Sequence, residues 1–274
     1  MILLRGGDQG PLVLTVQLLL CVHRDRPIGR DGLYGPETQR AVRDFQRSQT
    51  LAVDGTAGPE TWSALTDRTN FRVVNAVDVM DPLLLRKNVP SDLIDVGGNP
   101  VLTGGMSGGV RAVVDGVAAR CSGAGSLLLL RFIGHGSKGL MGVSTGIGGY
   151  YDEKGQPVSF RSAQNQASIT TKNLGTVGPI LRRLRYYLSP AGCVELHGCG
   201  VAQQADGALL LQRLTDLWTV PVSAGLGSQR VGGLSKTLRM EGRVVTRYPG
   251  AGGLEGWSQR HQTLPGGVSV SRMA

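Results

Sequence analysis

Two glycine-flanked segments carry the side chains best suited to chemistry in this sequence: Gly134-His135-Gly136-Ser137 and His197-Gly198-Cys199-Gly200. A cysteine thiolate is a nucleophile, and an adjacent imidazole lowers the thiol's pKa and later protonates the leaving group. Glycine around both residues suits a tight turn and lets a substrate backbone come close. Backbone N–H groups at Gly136 and at Gly198-Cys199 are candidates for an oxyanion hole. Glu195 and His197 are candidate secondary participants. A metal site is the competing chemistry, because Cys193, Glu195, His197 and Cys199 alternate along one stretch, with His135 a possible neighbour. Zinc sites draw ligand pairs from closely spaced cysteines in turns, a spacing absent here, so no metal and no other cofactor is expected.

The elements that must position these residues are strands. Leu127-Leu128-Leu129-Leu130-Arg131-Phe132-Ile133 is the run expected of a fully buried parallel strand. It leads directly to His135. Val194-Glu195-Leu196 reads as a short strand leading to Cys199, and Val220 to Ala224 as a third. Phe71 to Val74 reads as a strand and Val79 to Asn99 as a broken loop. Val110 to Arg120, Pro179 to Leu188 and Asp206 to Trp218 have helical apolar spacing. Residues 134–166 are expected to be a long loop with one hairpin, and Leu234 to Thr246 a further hairpin. Strands alternating with helices imply a mainly parallel sheet covered by helices, with its functional site at the carboxyl ends of the strands.

Before this α/β region comes an internal repeat. Asp31-Gly32-Leu33-Tyr34-Gly35-Pro36-Glu37-Thr38 recurs as Asp54-Gly55-Thr56-Ala57-Gly58-Pro59-Glu60-Thr61. Asp-Gly makes a tight turn, and Gly-Pro-Glu opens a helix, with Pro at its first position and an acid facing the positive end of the dipole. Thr38, Ala41, Val42 and Phe45 form one apolar face; Trp62 and Leu65 mark a shorter helix; Pro11 to Val22 is an earlier one. The result is a small three-helix all-α domain.

Over residues 3–66, Leu4-Arg5-Gly6-Gly7-Asp8-Gln9-Gly10, Val16-Gln17-Leu18, the two repeat blocks, Ala41-Val42…Phe45-Gln46 and Trp62…Leu65 resemble the peptidoglycan-binding domain 1 family. The resemblance implies peptidoglycan as partner, with Asp31, Tyr34, Gln46 and Asp54 as candidate polar contacts. Over residues 126–225, an apolar strand followed by His135-Gly136, then a second strand followed by Gly198-Cys199, resembles the caspase-like cysteine peptidases, with His197 standing where caspases have Gln. By that match His135 is the general base and acid and Cys199 the nucleophile. His-Gly-Cys also resembles L,D-transpeptidases, whose Cys is followed by a β-branched residue and Arg and whose domain is mainly β. A third reading is a non-catalytic wall-binding or interaction protein.

Composition bounds these readings. The chain of 274 residues has a formal charge of +9, which favours an anionic partner. Its basic residues are spread out, and the local cluster Arg182, Arg183 and Arg185 reads as a solvated helix face, so nucleic acid is not expected. No apolar run is long enough to span a membrane, and no cleavable signal peptide is evident. The spacing of Cys21, Cys121, Cys193 and Cys199 is not that of a disulfide framework. The expected organisation is a three-helix domain over residues 1–68, an α/β domain over 71–262 and a tail over 263–274. The expected activity is hydrolysis of an amide bond in a wall stem peptide or wall-associated protein. Its expected setting is the periplasm or cell wall, as for an exported antibacterial effector with a cognate immunity protein, or a lysis protein.

Overall fold

Pro11, Pro36 and Pro59 each open a helix: α1 (Pro11–His23), α2 (Pro36–Ser48) and α3 (Pro59–Thr66). The computed structural model describes residues 3–23, 27–67, 69–78, 100–103, 109–143, 150–151, 156–159, 162–229, 240, 242–250 and 253–264. In α2 the expected face, Thr38, Ala41, Val42 and Phe45, is buried, and the opposite face is charged. Helix α1 is different. Every residue from Pro11 to Leu20 is buried, as expected of a helix that is apolar all round and covered on all sides.

The cover on the far side of α1 is a six-stranded sheet. Its strands are β1 (Arg72–Asp78), β2 (Val101–Thr103), β3 (Leu127–Ile133), β9 (Leu188–His197), β10 (Val222–Gly225) and β11 (Val244–Arg247). The spatial order is β11-β10-β9-β3-β1-β2, parallel except for β11, which runs antiparallel to β10. Between β3 and β9 the chain forms β4 (Gly136–Ser137), β5 (Leu140–Gly142), β6 (Tyr150–Tyr151), β7 (Pro157–Val158) and β8 (Ser168–Thr170). Strands β4, β5 and β8 form an antiparallel sheet and β6 and β7 a separate ribbon. The single hairpin expected over 134–166 is thus two.

One sheet face packs Val74, Leu130, Phe132, Val194 and Leu196 under α4 (Gly109–Ala118), α5 (Leu174–Arg182) and α6 (Gln204–Trp218). The other face puts Val73, Leu129, Ala191 and Cys193 into the same apolar cluster as α1, Phe45 and Trp62. Thr15 Oγ1 donates across this seam to the Ala191 carbonyl at 3.1 Å. A late helix not anticipated from sequence, α7 (Gly253–Arg260), adds Trp257 to that cluster.

Two expectations need correction. The helix placed at Pro179–Leu188 begins at Leu174 and gives way at Arg183–Tyr186 to a 3-10 turn; Leu188 belongs to β9. Its start is set by Asn173, whose Nδ2 donates to the carbonyls of Asn165 and Ser168 while its Oδ1 accepts from the Thr170 N–H. Pro179 has no N–H for residue 175, and that residue is a glycine with open space around it. Strand β9 is also far longer than Val194–Leu196. Pro190 and Gly192 look like breakers, but Pro190 is exposed, and a Cβ on Gly192 would meet the Leu127 carbonyl at 2.8 Å, where the β3–β9 register shifts. The loop over Val79–Asn99, the first half of the hairpin expected from Leu234 and all but two residues of the tail lie outside the described residues. Among those described, no helix is long and apolar enough to cross a membrane.

Candidate active site and ligand-binding surfaces

The two Asp-Gly turns of the repeat are built alike. Gly32 and Gly55 take φ of 75° and 74°, a region that glycine enters without penalty. Each turn is gripped by a buried glutamine. Gln46 Nε2 donates to Asp54 Oδ1 at 2.8 Å, and its Oε1 accepts from the Gly55 N–H at 2.9 Å. Gln17 does the same with Asp31 Oδ1 and the Gly32 N–H, both at 2.8 Å. Tyr34 is buried and donates from its hydroxyl to the Gly55 carbonyl at 3.0 Å; burial raises its pKa.

These contacts correct two of the four candidate peptidoglycan contacts. Gln46 and Tyr34 are 2% exposed and hold the turns together, so neither presents a polar atom to a ligand. Asp31 and Asp54 are exposed, with one carboxylate oxygen committed to the turn. Gln17 is the residue the sequence reading missed. A glutamine inside an otherwise apolar helix was its signal. A groove of about 440 Å3 runs along this unit between Gly6–Gln9 and Leu33–Pro36, with Gln39 beside it. Leu33, 46% exposed, is its apolar element.

His135 and Cys199 stand at the tips of β3 and β9, which are neighbours and parallel, with Ile133 opposite His197. The Gly134 N–H donates to the His197 carbonyl at 3.3 Å. Beyond that point the two chains touch: a Cβ at residue 136 would lie 2.7 Å from the Gly198 Cα. Both His135 and Cys199 are exposed. Cys199 Sγ accepts from the Gln229 N–H at 3.3 Å, from the loop after β10. The other thiols differ. Cys193 is buried and Cys121 half-buried; burial pushes Cys121 up to about 11 and raises Cys193 as well.

Glu195 and His197 do not join this pair. They lie on the sheet face toward α1, where His197 Nε2 is 2.8 Å from Glu195 Oε2 and the ring is 3% exposed. Glu195 is opposite Arg131 of β3, whose Nε is 3.3 Å from the same oxygen. Register extends the row to Asn75 on one side and to Ser223 and Thr246 on the other. Burial opposes ionisation of Glu195, but the hydrogen bond and charge of His197, with the charge of Arg131, outweigh it and hold the carboxyl below its ordinary pKa. Arg131, within an apolar strand, was the sequence signal for this partner. Cys199 lies past the end of this row, and among the described residues no group of three His, Cys, Asp or Glu could hold a metal ion.

Residues 9–65 match the model of a peptidoglycan binding domain family, so the three-helix unit is a peptidoglycan-binding domain. No curated protein matches this chain. Among solved structures, the chain is similar to a peptidoglycan-binding protein from Clostridioides difficile in complex with glutamine hydroxamate, at 34% identity over 23% of this chain and 40% of that one, TM-score 0.23. It is similar to the endolysin of Burkholderia AP3 phage at 31% identity over 35% of each chain, TM-score 0.23. A third similarity is to a fused Zn-dependent amidase/peptidase/peptidoglycan-binding domain-containing protein from Clostridium acetobutylicum ATCC 824, at 31% identity over 32% of this chain and 43% of that one, TM-score 0.24. The matches span less than half the length of each of those chains.

Proposed function

We propose that this protein is a peptidoglycan-targeted cysteine hydrolase in which Cys199 is the nucleophile and His135 the general base and acid. The reading is carried by one observation: the β3 and β9 tips touch at Gly136 and Gly198, with the exposed His135 just before one and the exposed Cys199 just after the other. The imidazole takes the thiol proton, and the thiolate attacks the carbonyl carbon of a substrate amide. The C–N bond breaks as His135 returns the proton to the leaving amine. Water, deprotonated by the same imidazole, then releases the acyl group from the thioester and restores the thiol.

The parallel sheet, with His after one strand and Cys after its neighbour, supports a caspase-like peptidase over the mainly β L,D-transpeptidase. The peptidoglycan-binding domain supports a wall stem peptide or a wall-associated protein as substrate. The site of action on this reading is the periplasm or cell wall. An antibacterial effector of this kind requires a cognate immunity protein in the cell that makes it.

Alkylation followed residue by residue against pH is the direct test. Cys199 is expected to be modified first, and more slowly in His135→Ala, while Cys121 and Cys193, whose thiols burial holds protonated, stay unmodified. Digestion of purified sacculi is expected to vanish in Cys199→Ala and to fall roughly a hundredfold or more in His135→Ala. Undiminished digestion by Cys199→Ala would end the proposal.

A further inference from the structure

A cavity of about 230 Å3 lies at the seam between the peptidoglycan-binding domain and the sheet, and neither His135 nor Cys199 lines it. Its walls are apolar: Leu3, Leu4 and Leu12 from the first domain, Val244 and Met240 from the other side. Its floor is polar, made by Glu195 and Arg131 with Ser223 and Thr246. Of the two charges, the carboxylate is the one presented, since the Glu195 side chain is 16% exposed and that of Arg131 1%. Glu195 Oε2 is occupied by His197 and Arg131. Ser223 Oγ and Thr246 Oγ1 are 2.8 Å apart and bond each other, leaving lone pairs to accept a further donor.

Apolar walls over a carboxylate-and-hydroxyl floor match one ligand chemistry, an aminoalkyl chain. Its methylenes lie against the leucines and its ammonium group brings three donors to the floor. The volume is just under the roughly 300–1,000 Å3 of pockets for whole small molecules, so a single side chain fits within it. Asp8 and Gln9 line both this cavity and the groove at Gly6–Gln9 and Leu33–Pro36, so the two spaces adjoin. We propose that the seam cavity is a second wall subsite, which takes the side-chain amine of a stem peptide whose remaining length lies in that groove. The inference rests on the wall-binding reading of residues 9–65 and goes beyond it by naming the group recognised.

Calorimetric titration of the full chain with the stem tetrapeptide L-alanyl-D-isoglutaminyl-L-lysyl-D-alanine tests it, with the lysine ε-amine free or acetylated. Free amine is expected to bind roughly tenfold tighter or more, as for a charge-assisted contact. The difference is expected to disappear in Glu195→Gln. It should also disappear in Val244→Trp, where an exposed edge-strand residue blocks the cavity without touching the buried ion pair. Equal affinity for the two peptides overturns the proposal, as does a preference that survives both variants. Co-sedimentation with sacculi separates the premise: a chain that sediments yet ignores the amine refutes the subsite alone. A chain that does not sediment, but binds Nα-acetyl-lysine methylamide, with its ε-amine free, through Glu195, replaces the wall peptide with a protein lysine.

Discussion

A methyl group at residue 198 would stand 2.9 Å from the Gly136 Cα, the Met141 Sδ and the Val201 Cγ2 at once. Two of these neighbours are side-chain atoms that can shift, but the third is backbone. Gly198→Ala is therefore expected to wedge the β3 and β9 tips apart, at about 1–3 kcal/mol of stability, the usual cost of overpacking. It should also slow the alkylation of Cys199 by moving it from His135. A variant that melts like wild type and keeps that reactivity would show the contact to be slack. From sequence, the glycines around His135 and Cys199 read as room for a substrate. What comes close to them is instead another strand of the same chain, which no local pattern reveals. The same limit explains Gln46 and Tyr34. They stand beside the repeat turns in sequence, and only the folded turn shows their polar atoms facing inward. Gln46→Ala would leave the Gly55 N–H without its acceptor and take one of two hydrogen bonds from the Thr61 hydroxyl. A loss of about 1–3 kcal/mol in thermal unfolding follows, while sacculus binding per folded molecule should persist. Weakened binding at unchanged stability would return Gln46 to the ligand surface.

At the scale of elements, Arg131 and Glu195 tie together the two strands that carry the candidate catalytic residues. Because the folded-state pKa of Glu195 is depressed, its contribution is present above the ordinary carboxylate value of about 4.3. It is lost as pH falls below that value toward the depressed one. Urea midpoints of wild type and Glu195→Gln are therefore expected to converge as pH is lowered from neutrality through that range. A gap that is constant with pH would detach the row from acid stability. The strands in this row were legible to different degrees. The run of β3, apolar but for Arg131, gave its whole length away. β9 was seen only at Val194–Leu196, because Ser189, Pro190 and Gly192 mimic a turn, and what keeps them in a strand is the neighbouring β3 backbone. Helix α5 was misplaced for a related reason: Asn173, not Pro179, sets its start, through bonds to residues several positions away.

At the scale of the whole molecule, α1 is shared. Its repeat-side residues complete the core of the peptidoglycan-binding domain, and it also covers Leu129, Ala191 and Cys193 of the sheet. Gln262, just after α7, strengthens the seam. Arg30 Nη1 donates to the Gln262 carbonyl at 2.7 Å, and Gln262 Nε2 donates to the Arg30 carbonyl at 3.0 Å. The apolar character of α1, interrupted by Thr15 and Gln17, is visible in the sequence from Leu12 to Leu20. Its second partner is not, because a helix buried in one small domain and a helix buried between two units have the same composition. The consequence is that the groove at Gly6–Gln9 and Leu33–Pro36 and the Cys199 tip are held at a fixed spacing by this shared core. Removing residues 1–70 would expose a sheet face built of Val73, Leu129, Ala191 and Cys193, and each large side chain uncovered there costs about 1.5–3 kcal/mol. An apolar patch of this kind drives association. Residues 71–264 alone are therefore expected to be aggregated or partly unfolded in size-exclusion chromatography and near-UV circular dichroism. A soluble monomer with native tertiary signal would mean that the seam is a docking contact that the α/β unit can do without, and that the two units are free to move apart.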